Sequence, residues 1–123
     1  MWDGKQKAVT FSYDDGVCQD RRLVDMFNYY HVKATFNINS GMQTYASHYD
    51  FGNVRVHHMN AEGLKELYKG HEIAVHTLTH QDLTKLDKDT VYNEVFLDKQ
   101  NLERMFDCQI TGMALSLIHI SEP

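Results

Sequence analysis

The sequence predicts an α/β fold with parallel strands, and two observations carry that reading. Short β-branched and aromatic runs alternate with helical patterns, an order that makes parallel strands joined by right-handed crossovers. The residues best suited to chemistry all fall just past the ends of the strand-like runs, where folds of this kind place their sites.

The elements follow in order. Residues 8–13 form the first strand-like run and lead into Asp14, Asp15 and Gly16. Residues 21–30 carry Leu23, Val24, Phe27 and Tyr30 on one helical face. Residues 34–38 form the second run, with Asn37, Asn39 and Ser40 at its end. Residues 41–58 show no clear period and read as a long loop with a short embedded element. A helix is expected over residues 60–69, capped by Asn60, carrying Leu64, Leu67 and Tyr68, and stopped by Gly70. Residues 73–75 form the third run and end at His76, with His80 beyond. Asp87 is placed to cap a helix reaching Phe106, with Val91, Val95, Leu102 and Phe106 turned inward.

The totals narrow the function class. A chain of 123 residues allows one domain, burying roughly two-thirds of its unfolded surface. The hydrophobic share of 42% and charged share of 24% are ordinary for a soluble protein. A net charge of −5 without a Lys/Arg cluster argues against a nucleic-acid partner. Cys18 and Cys108 lie far apart and outside any C-x-x-C spacing, so two unpaired thiols are expected. As written, the chain has no apolar leader and no run long enough for a membrane span. The expectation is a cytoplasmic protein, or an extracellular or cell-envelope one if residues precede Met1.

Two strings carry the chemistry: Ser12-Tyr13-Asp14-Asp15-Gly16 and His76-Thr77-Leu78-Thr79-His80. Adjacent carboxylates in a partly buried pocket cannot both stay unpaired, so one must find a cation or take a proton. Gly16 lets the backbone turn, so that Asp15 could bind a metal while Asp14 faces a substrate. Two imidazoles at i and i+4 can share one ion if the segment makes a helical turn. Each string alone fits something plainer, a solvated turn or a pair of surface histidines. Placed on one rim they make a three-donor set of Asp15, His76 and His80, suited to zinc or a similar divalent ion, with Asp14 free as a base. Asn37 and Asn39 are candidates to line a sugar site, and turn chemistry accounts for them equally well. His57 and His58 are expected on a solvated loop, and Cys18 as a small buried or loop residue.

The two strings, together with Lys33-Ala34-Thr35-Phe36-Asn37 and the lead-in Gly70 to Val75, resemble the polysaccharide deacetylases. These are the nodulation-protein-B-like domains of carbohydrate esterase family four. The first string is similar to the family's T-F-D-D-G motif, with Ser12 for Thr and Tyr13 for Phe; the second matches its H-S/T-x-x-H motif. The resemblance implies the N-terminal part of a distorted (β/α) barrel and a divalent metal, usually zinc. It implies removal of acetyl groups from N- or O-acetylated polysaccharide or amino sugar. It makes Asp14 the base, and Asp15, His76 and His80 the metal ligands. The family's later motifs, an Arg/Pro/Tyr segment that orients the base and a Leu-x-His element that supplies the general acid, are not found.

Where the first of these is due, the chain reads Leu115-Ser116-Leu117-Ile118-His119-Ile120-Ser121-Glu122-Pro123. That string matches the translation of a transposon adapter used in sequencing libraries. Residues 1–114 are therefore read as a partial deacetylase domain and residues 115–123 as a non-native tail, with His119 set aside from the site. A genomic read continuing in frame through Pro123 would sink the tail assignment. Two functions remain in competition: a deacetylase fragment that is itself inactive, and a catalytically silent carbohydrate-binding or scaffold domain.

Overall fold

A computed structural model of the chain describes residues 2–116. Its elements in chain order are β1 (Ser12–Asp14), α1 (Asp20–Tyr29), β2 (Thr35–Ile38), β3 (His48–Phe51), β4 (Val54–His57), α2 (Leu64–Leu67), β5 (Glu72–Val75), α3 (Lys88–Phe106) and β6 (Gly112–Met113). Strands β1, β2, β5 and β6 lie side by side in that order, every pair parallel, and β3 and β4 form a separate antiparallel hairpin. The parallel α/β fold is thus present, as an open sheet; no barrel closes among the described residues.

The central strands β2 and β5 are buried, which is why they read as apolar runs. Their register sets Phe36 beside Ile73 and Ile38 beside Val75. These four pack in one core with Val24 of α1, Leu64 of α2, Tyr68, and Leu102 and Phe106 of α3. Phe36 is fully buried, a burial worth roughly 2–3 kcal/mol, and its ring lies 4.5 Å from that of Tyr68. The Tyr68 hydroxyl donates to the buried Asp20 carboxyl at 2.6 Å, and burial pushes that carboxyl up to about 6.

Several expectations need correction. The paired part of the first strand is only Ser12–Asp14, because its partner begins at Thr35; before that, Thr35 N–H reaches back to the Phe11 carbonyl. The helix expected over residues 60–69 shrinks to α2. Gly63, at φ +83°, interrupts the helical run, and the Asn60 side chain accepts from the Tyr45 N–H instead of capping a helix. The loop over residues 41–58 contains the β3–β4 hairpin. Helix α3 begins where expected, with Asp87 accepting from Thr90 N–H at 3.0 Å. Its most buried positions, however, are Glu94, Asp98, Leu102 and Phe106, while Val91 and Val95 are only half-buried.

Candidate active site

The Asp-Asp-Gly turn closes β1. Asp15 sits at φ +79°, in the left-handed region, and its N–H donates to the Asn37 carbonyl at 2.9 Å. This reversal sends the two carboxylates to different partners. Asp14 stays exposed and accepts from the Asn37 side-chain amide at 2.8 Å. Asp15 turns inward. Gly16 packs so closely that a Cβ there would lie 2.8 Å from the Gln43 side-chain oxygen. Gln43 is itself buried, and its amide donates to the Asp15 carbonyl at 2.9 Å and the Asn39 carbonyl at 3.2 Å. It fastens the turn to the end of β2, a role the sequence reading missed.

The two histidines are brought together by a loop, not by the helical turn expected from their spacing. Thr77 at φ +72° and His80 at φ +55° make it irregular. A β-branched residue in that region is strained, so surrounding bonds must hold it. Helix α3 supplies them. Asp98, fully buried, accepts from the Ser40 N–H at 2.7 Å with one oxygen and the His76 N–H at 3.0 Å with the other. The Glu94 backbone carbonyl accepts from Leu78 N–H, and its carboxylate accepts from both the N–H and the hydroxyl of Thr79. Asn39 adds side-chain donations to the His76 and Thr77 carbonyls. The acidic stripe on α3 therefore faces the loop ends of β2 and β5, which explains why its inner face is not uniformly apolar.

Asp15, His76 and His80 converge. One donor atom from each lies within 4.8 Å of the others; the Asp15 oxygen is 3.4 Å from His76 Nε2 and 3.5 Å from His80 Nε2. His76 Nδ1 lies 2.9 Å from the Ala114 carbonyl. A carbonyl only accepts, so the proton belongs on Nδ1 and Nε2 presents its lone pair to the site. His76 Nε2 and the facing Asp15 oxygen are buried polar atoms without a hydrogen-bond partner. Such atoms are costly unless something binds them. That oxygen and nitrogen, with His80 Nε2 3.5 Å from the oxygen, make a donor set that fits a divalent metal. Burial raises the Asp15 carboxyl, but His76 and His80 outweigh it and hold the carboxyl below its usual range. Burial lowers His76, but Asp15 and the Ala114 carbonyl outweigh it and hold the imidazole above its usual range.

A cavity of about 260 Å³ opens beside this group, lined by Asp15, His80, Thr79, Met42 and, from the hairpin and its end, His48, Tyr49 and His58. Burial, with the Asp15 carboxylate nearby, pushes the Tyr49 hydroxyl up to about 12. Asn37 and Asn39 do not line this space. Both are buried, the first spent on Ser12 and Asp14 and the second on the histidine loop. They position the rim. His58 is buried rather than solvated, and its carbonyl accepts from the Cys18 thiol. Both cysteines are unpaired, as expected. His119 lies outside the described residues.

A profile of the polysaccharide deacetylases matches residues 3–116. The chain belongs to the polysaccharide deacetylase family. Over 96 residues it is 27% identical to a bifunctional xylanase/deacetylase of Pseudobutyrivibrio xylanivorans, a match covering 73% of this chain and 13% of that protein. The fold superposes on the Streptococcus pyogenes deacetylase PplD, solved with acetate, with a TM-score of 0.73 at 20% identity, covering 89% of this chain and 46% of that one. It also superposes on the peptidoglycan deacetylase PdaC of Bacillus subtilis, with a TM-score of 0.65 at 17% identity, covering 90% and 50%. This deacetylase domain thus spans about half the length of those solved chains. At such identities the superpositions speak for the fold alone. A family of hydrolases acting on acetylated carbohydrate is the setting in which the site is to be read.

Proposed function

We propose that this chain carries the metal-holding half of a metal-dependent glycan deacetylase site, with Asp15, His76 and His80 as ligands and Asp14 as the base. The observation that carries this is the pair of unpartnered buried atoms, His76 Nε2 and an Asp15 oxygen, facing each other beside His80. Bound there, a divalent ion such as zinc would supply Lewis acidity, polarising an acetyl carbonyl and lowering the pKa of water toward about 7. The chain's own residues do the rest. Asn37 holds one Asp14 oxygen, leaving the other, 3.7 Å from His76 Nε2, to take a proton from an attacking water. Gln43, Asp98 and Glu94 keep the two loops from drifting apart.

The substrate under this reading is an N- or O-acetylated glycan or amino sugar. The family's general acid and base-orienting arginine have no counterpart among the described residues. Turnover is therefore expected of a longer protein that supplies them, and little from this chain. Calorimetry with zinc should give one site per chain; no stoichiometric zinc would favour the silent carbohydrate-binding or scaffold reading. Acetate release from acetylated glucosamine oligomers, compared between this chain and a longer version, tests the rest. Comparable turnover by both would refute the incomplete-site argument. Asp14→Asn should keep zinc and abolish turnover in the longer protein; loss of zinc would show the two Asp roles reversed.

A further inference from the structure

The hairpin is the part of the site that metal chemistry leaves unused. It is a fixed wall, not a flap. Cys18 N–H donates to the His57 carbonyl and Met59 N–H to the Gly16 carbonyl, each at 2.9 Å, so the end of β4 is bonded to the turn that carries the two carboxylates. Val17 and His58 form a further bridge. Tyr49 of β3 lines the cavity together with Asp15 and His80. The buried His58 ring meets the Tyr49 ring at 66° with centroids 5.9 Å apart, fixing its tilt, while Tyr49 remains 40% exposed. A cavity of about 260 Å³ lies at the small end for ligand sites, room for one sugar residue rather than an oligomer. An aromatic ring with a polar tip suits a pyranose, which offers an apolar face ringed by hydroxyls.

We infer that Tyr49 is the specificity-determining residue of this site: its ring is the face on which the acetylated pyranose lies. The inference rests on the deacetylase reading and separates from it by experiment. Zinc affinity is read by competition with a chromophoric chelator, and glycan affinity of the zinc-loaded chain by NMR titration with tri-N-acetylchitotriose and with acetylated xylotriose. Tyr49→Phe, which keeps the ring, is expected to retain glycan affinity within ~3-fold of the parent. Tyr49→Ala is expected to weaken glycan binding ~10-fold or more and to narrow any preference between the two sugars, at a similar melting temperature. Unchanged glycan affinity and preference in Tyr49→Ala, or a loss in Tyr49→Phe as large as that in Tyr49→Ala, would overturn the ring's role. A zinc-loaded parent chain that binds neither sugar would overturn both the inference and the reading beneath it. Acetate release by a longer protein, unaffected by Tyr49→Ala, would overturn the inference alone.

Discussion

At the scale of single residues, the site depends on small groups whose work is geometric. Asn37 is one: its side-chain amide donates to both Ser12 and Asp14. Asn37→Ala should leave zinc stoichiometry intact while lowering kcat ~10-fold or more in a longer, active protein, because Asp14, the proposed base, loses its fixed orientation. A fall in KM-linked binding with kcat unchanged would contradict that role. Gly16 is another. Gly16→Ala adds a Cβ into Gln43 at a left-handed φ of +66°, and a melting-temperature drop equivalent to about 1–3 kcal/mol is expected. A variant as stable as the parent would show that Gln43 moves aside freely.

At the scale of elements, α3 is both core helix and clamp. Leu102 and Phe106 bury apolar surface while Asp98 and Glu94 grip the loops after β2 and β5. Asp98→Ala would strand the Ser40 and His76 N–H groups and should cost about 2–4 kcal/mol, together with weakened zinc binding. Thermal unfolding and chelator competition on the same samples check both. The helix itself was legible from Asp87 and its periodic apolar residues. Its acidic inner stripe was not, since a helical period shows which residues share a face but not what that face meets. The hairpin escaped for another reason. Its signal, Gly52-Asn53 between His48–Phe51 and Val54–His57, is a short turn dipeptide flanked by strand-forming residues. The crowd of His and Tyr around it has no helical period and resembles a loop. The convergence of the two strings was readable because chain order alone places β-strand ends on one rim. Tyr49 was not, because it arrives from an insertion that the strand–helix alternation does not place.

At the scale of the whole molecule, two buried carboxyls set the pH response. Burial raises Asp20 and Asp98 to about 6 each. The folded state binds those protons more tightly than the unfolded chain does, so stability rises as pH falls from about 7 toward 4. The two together would add up to ~5 kcal/mol across that window. His76, also held high, acts in the same direction, whereas Asp15, held low, gives up its contribution only below its ordinary range. Metal-free melting temperatures from pH 4.5 to 8 should therefore fall with rising pH; a rise would contradict the burial of these acids. Among the described residues, β1 and β6 each pair along one edge only. Unpaired parallel edges invite association, and light scattering of the isolated chain should show growth with concentration.

The Ala114 carbonyl that orients His76 follows β6, and the bond spans 38 residues of sequence. The Nδ1–H tautomer of His76 is therefore held in place by β6 docked beside β5. If the proposed metal site is filled, its filling would report that β6 has joined β5 in the sheet. Shortening the chain ahead of Gly112 would leave all three ligands in place yet remove the group that prepares one of them.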